Sequence, residues 1–97
     1  MASLRYILLL QKDVPKAVKF YCQGLGLTPS VFTERWAELK AGDATIALKA
    51  VEGEALCSVG YSPFLSFTVE DLQESVMRMA DLGGTLDGPI RYPPQGK

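Results

Sequence analysis

The chain has no histidine, only two cysteines and a single tryptophan among its 97 residues. Without histidine it lacks the commonest general base near neutral pH, the commonest transition-metal ligand, and any Ser/His or Cys/His nucleophile pair. Cys22 and Cys57 lie far apart and belong to no CxxC pair, so they read as free thiols rather than a disulfide framework. Long apolar runs are missing as well. The longest, Tyr6 to Leu10, is far too short to span a bilayer and short for a signal-peptide core, which reads as a cytoplasmic chain. A formal charge of -1, with both signs scattered, provides neither a basic face for phosphates nor a polybasic anchor. Nucleic acid and membrane are therefore not expected partners.

What is present is a repeat. Tyr6 to Gly26 reads as strand, Asp-capped helix and glycine stop, and Phe64 to Gly84 reads the same way at an offset of 58 positions. At that offset Val14, Ala17, Val18, Tyr21 and Cys22 coincide with Leu72, Ser75, Val76, Met79 and Ala80. The whole is one domain, residues 1–97, with a first unit over 6–63 and an incomplete second over 64–97. The second unit is short of the first by about two strands' worth of sequence.

Leu4 to Gln11 reads as a buried strand, and Asp13 as the N-cap of a helix with Pro15 in its first turn and Gly24 and Gly26 at its end. Ser30–Arg35, Trp36–Ala41 and Ala44–Val51 read as a three-stranded meander, with Gly42-Asp43 between the last two. Phe64 to Val69 reads as the next strand, followed by a helix capped by Asp71 and stopped by Gly83-Gly84. Because successive strand side chains point to opposite faces, Ile7, Leu9, Ala37, Leu39, Ala41, Ala44, Ile46 and Leu48 are expected under the helix. Tyr6, Leu8, Leu10, Trp36, Glu38, Lys40, Thr45, Ala47 and Lys49 then share the far face. In the second unit Leu65, Phe67 and Val69 are expected under the helix, with Phe64, Ser66 and Thr68 beyond.

The strings D-V-P-K-A-V-K-F-Y-C-Q-G-L-G-L and V-E-D-L-Q-E-S-V-M-R-M-A-D-L-G-G, with G-P-I near the end, resemble the vicinal oxygen chelate superfamily of glyoxalase I, bleomycin-resistance proteins and extradiol dioxygenases. The resemblance implies an α+β fold in which two βαβββ modules form a curled mixed sheet about a shared cavity, with helices outside and the second module truncated. Glyoxalase-like members draw metal ligands from the first, fourth, fifth and last strands. The matching positions here are Tyr6, Ala47 and Phe64, and the fourth falls in the absent part. Phenol, methyl and phenyl groups cannot cage a divalent metal, so neither a metal nor another cofactor is expected.

The expected ligand-binding set on the cavity side is Tyr6, Leu8, Phe32, Trp36, Ala47, Lys49, Phe64 and Ser66. Phe32 and Trp36 form an aromatic wall or simply pack, and Tyr6 and Phe64 form a floor or fill the cavity. Lys49 suits a ligand carboxylate, and Glu38 is the one candidate general base, if desolvation raises its pKa. Neither G-L-G-L nor L-G-G is a phosphate loop, since both follow helices. The resulting expectation is a metal-free protein that binds a small, partly apolar or aromatic molecule. The alternatives are a glyoxalase-like lyase or isomerase, or a dioxygenase-family member, with an altered metal site, and a non-catalytic interaction protein. A homodimer, with the partner's sheet or an exchanged strand covering the open edge, is also expected, unless the natural chain continues past Lys97.

Overall fold

A computed structural model describes residues 2–53, 56–57 and 65–85 of the chain. Its elements are β1 (Ile7–Gln11), α1 (Val14–Leu25), β2 (Thr28–Phe32), β3 (Trp36–Ala41), β4 (Ala44–Ala50) and α2 (Leu72–Asp81). The four strands form one mixed sheet in the order β1-β4-β3-β2. β1 runs parallel to β4 from Ile7 opposite Ile46 to Gln11 opposite Ala50, and the other pairs are antiparallel. This is the expected α+β layout, with α1 as the crossover that a parallel β1/β4 pair requires.

The local chemistry accounts for the first half of this layout. Asp13 holds extended dihedrals, and its Oδ1 accepts the Lys16 N–H at 3.0 Å, starting α1 with Pro15 in the first turn, where its missing N–H costs nothing. Gly26 ends the helix at φ 76, a left-handed conformation that glycine adopts without a Cβ clash, and its N–H reaches the Cys22 carbonyl at 2.9 Å. Gly24 is not a stop as the sequence suggested. It lies inside α1, buried against α2, because the helix needs a small residue where the two helices meet.

The β-strand bounds shift where turns compete with ladders. Ser30–Arg35 was expected to be a strand, but β2 ends at Phe32, since Thr33 folds back on Trp36. Its N–H donates to the Trp36 carbonyl at 2.7 Å, and its hydroxyl accepts the Trp36 N–H at 3.0 Å. β1 begins at Ile7 rather than Leu4, which is 81% exposed and outside the ladder. The turn between β3 and β4 is as expected, with Gly42 at φ 61 in the first central position that a II′ hairpin turn reserves for glycine.

The core lies between the sheet and α1. Leu9, Val14, Ala17, Val18, Ala37, Leu39, Ile46 and Leu48 form one buried cluster with Ile7 packed against it; of the other strand residues expected under the helix, Ala41 is half-buried and Ala44 exposed, because they flank the hairpin turn beyond the reach of α1. Leu39 and Leu48 are fully buried, and each contributes about 1.5–3 kcal/mol of transfer free energy. α2 packs on α1. Asp71 caps α2 through the Glu74 N–H at 3.0 Å, but the Glu74 carboxylate accepts from Arg78 one turn on, at 2.9 Å.

Residues 65–69 depart from expectation. Leu65, Phe67 and Val69 are half-buried and Ser66 and Thr68 exposed, as alternation requires, and Leu65 and Phe67 pack against the core cluster. Yet the segment is not a strand, because no neighbouring strand among the described residues supplies ladder partners. Alternation sets which side chains point inward, and only a paired edge makes a strand.

Candidate functional site on the far face of the sheet

The face of the sheet turned away from α1 is built in register rows. Leu8, Ala47, Glu38 and Val31 form one row, Leu10, Lys49 and Trp36 a second, and Thr45, Lys40 and Thr28 a third. Tyr6 stands two residues before Leu8 and shares its side. Its ring meets the Trp36 indole edge-to-face, with centroids 5.7 Å apart and planes at 71°. Trp36 starts in the Lys49 row and Tyr6 at the other end of the strands, so the indole must lie along the sheet to reach it. The small side chain beneath is Ala47, which is fully buried.

The indole is held from its other edge as well. Trp36 Nε1–H donates to Glu38 Oε2 at 2.9 Å in a half-buried, charge-assisted bond between two residues of β3 on the same face. Sequence reasoning placed both residues on this face but did not pair them. Their i, i+2 spacing on one strand was the available signal. The Arg5 guanidinium sits over the Tyr6 ring, 5.6 Å from its centroid. Lys40 Nζ donates to Thr45 Oγ1 at 3.1 Å, and Lys49 is exposed beside Trp36. Leu8 is 39% exposed.

The other expected site residues fall elsewhere. Phe32 pairs with Ala37, so it lies on the helix-side face at the sheet edge, 52% exposed, and cannot form a wall with Trp36. The β-bulge between Pro29 and Val31 brings Val31, not Phe32, opposite Glu38. Ser66 belongs to the segment packed on the helix side and lines a groove with Leu27, Ile46 and Phe67, away from Trp36. Phe64 lies outside the described residues. A cleft of about 1250 Å3 opens at the N-terminal end of α1 among Lys12, Asp13, Lys16, Arg35 and Cys57. Its walls are of mixed charge and largely committed, since Asp13 caps the helix and Arg35 pairs with Glu52 at 3.3 Å. The far face, by contrast, presents apolar and aromatic surface to solvent.

The sequence model of the Glyoxalase/Bleomycin resistance protein/Dioxygenase superfamily matches residues 3–97. The chain belongs to this superfamily. No curated protein matches it in sequence. Among solved structures, the integron cassette protein VCH_CASS1 from the mobile metagenome of V. Cholerae is 25% identical, with 99% of this chain and 80% of that chain covered and a TM-score of 0.64. VPC_CASS1 from V. Pseudocholerae is 27% identical over 99% of this chain and 80% of that one, with a TM-score of 0.61. A glyoxalase-related enzyme from Fulvimarina pelagi shares the fold at a TM-score of 0.70 and 21% identity, over 99% of this chain and 76% of that one.

Of the positions where the superfamily resemblance puts metal ligands, Tyr6 and Ala47 are described, and a phenol and a methyl do not supply a divalent metal's usual donors. The fourth-strand position is the methyl of Ala47, and the nearby Glu38 carboxylate is engaged by the indole N–H. Among the described residues no three of His, Cys, Asp and Glu cluster, and no buried side-chain nitrogen or oxygen lacks a partner. Within the same residues no helix is long and apolar enough to cross a membrane.

Proposed function

We propose that this superfamily member is a metal-free binding protein that holds a small, planar, partly apolar molecule on the far face of its sheet. The observation that carries the reading is the Tyr6–Trp36 pair, fixed by Glu38 over Ala47 on an exposed face. Aromatic faces held in place offer a ligand large contact area without ordering cost at the moment of binding. Leu8 extends the apolar floor.

Trp36 is the only tryptophan, so its emission reports on this site alone. A thermal-shift screen of planar aromatic compounds, followed by Trp36 fluorescence titration, tests the reading. Expected are hits that raise Tm, shift Trp36 emission saturably and lose affinity with Trp36→Ala; at a hundredfold excess over Kd a ligand stabilises by about 2.7 kcal/mol. Hits that bind Trp36→Ala undiminished, or a stoichiometric divalent ion supporting activity in the purified protein, would defeat it.

The same reading includes a homodimer in a reducing cytoplasm that keeps both thiols free. Among the described residues β1 stands at one end of the strand order, and an apolar strand in that place is usually covered in proteins that stay soluble. Sedimentation showing a stable monomer at micromolar concentration would remove this part of the proposal.

A further inference from the structure

The charges around the aromatic platform are unequal. Among the described residues, Arg5 over Tyr6, Lys40 and Lys49 are cationic, and Glu38 is the only carboxylate in the register rows. Asp43 sits in the turn at one end and Glu52 pairs with Arg35 at the other, so neither offsets the centre of the face. Glu38 is already engaged, accepting the Trp36 indole N–H. A ligand cation would therefore meet a carboxylate already in use and three like charges. Lys40 donates to Thr45, whereas Lys49 stands exposed in register with Trp36, their Cβ atoms about 5 Å apart. A ring laid on the indole would place a substituent of one or two atoms within reach of the Lys49 ammonium.

Building on the binding reading above, we infer that the ligand is an aromatic anion, a planar ring bearing a carboxylate or a similar acidic group, with the ring on Trp36 and Tyr6 and the anion on Lys49. Lys40 and Arg5 add a longer-range positive potential that favours the same sign of charge. Glu38 acts as a positioning residue. It keeps its negative charge while it holds the indole in place, and the face is cationic because Arg5, Lys40 and Lys49 outnumber it.

Calorimetric titration with three matched probes, naphthoate, naphthamide and naphthylmethylammonium, separates this inference from the reading beneath it. Naphthoate is expected to bind the wild-type protein at least about threefold more tightly than naphthamide, the size of one solvent-exposed ion pair. That preference should vanish in Lys49→Gln, persist in Lys19→Gln on the outer helix, and shrink as salt is added. Equal affinity for acid and amide, or tighter binding of the ammonium, overturns the anion inference and leaves the aromatic platform standing. Failure of all three probes to bind overturns both. Should Lys49→Gln be unstable, the salt dependence of the acid-to-amide ratio in the wild-type protein decides the matter, since a ratio indifferent to salt excludes an ion pair.

Discussion

Gly24 in α1 faces Met79 in α2 so closely that a Cβ at Gly24 would stand 3.1 Å from the Met79 Cγ and 3.4 Å from a methyl of Leu82. Gly24 and Leu82 are equivalent positions of the internal repeat, so one copy's missing side chain receives the other copy's leucine. Gly24→Leu is expected to destabilise the protein by about 1–3 kcal/mol through overpacking, and Met79→Ala in that background to recover part of the loss. Urea denaturation of the four proteins of this cycle checks it, and a Gly24→Leu protein as stable as wild type would contradict the close packing.

Asp13 and Asp71 occupy equivalent positions of the repeat, and each accepts the N–H three residues on at 3.0 Å. Replacing either by alanine is expected to cost about 1 kcal/mol, and by asparagine much less, because the amide oxygen caps as well. Chemical denaturation followed by circular dichroism gives the comparison. Loss from alanine at only one position would show that the repeat has diverged in how its helices start.

Ala47 lies in register between Leu8 and Glu38, fully buried beneath the line from Trp36 to Tyr6. Ala47→Leu is expected to lift the indole off the sheet, shift Trp36 emission to the red and destabilise by about 1–3 kcal/mol. An unchanged emission maximum would mean that the indole does not cross Ala47.

Burial holds the Tyr21 phenol above its ordinary pKa of about 10, and does the same in direction for the Cys22 thiol. For both groups the folded state keeps its proton where the unfolded chain loses it. Their contribution is therefore whole below the unfolded pKa and lost as pH rises through the folded value. Urea midpoints for wild type and Tyr21→Phe, measured at about pH 8 and about pH 10.5, are expected to diverge, with the phenylalanine variant losing less stability at the alkaline end.

Much of the first βαβββ unit is legible along the chain. Asp13, Gly26 and Gly42 set helix start, helix stop and hairpin turn through interactions within a few residues of themselves, and strand alternation sorts Leu9, Leu39 and Leu48 from Tyr6, Trp36 and Lys49 without reference to any partner. The single tryptophan, the absent histidine and the alanine at the fourth-strand position likewise belong to composition, and they turn the reading away from the superfamily's metal chemistry.

Whatever depends on register or on meeting a distant residue was decided only in three dimensions. The bulge after Pro29 carries Phe32 to the helix side, and one extra residue in a strand leaves no mark that alternation can detect. Residues 65–69 keep a strand's pattern without a strand's partners, because pairing is a property of two segments. Trp36 meets Tyr6 and Glu38 through a rotamer chosen by what surrounds it, and Gly24 is small because Met79 and Leu82 arrive from another helix. Local rules act through neighbours in sequence. The platform, and the surplus of positive charge from Arg5, Lys40 and Lys49 over the one carboxylate of Glu38, exist only once distant segments share a face.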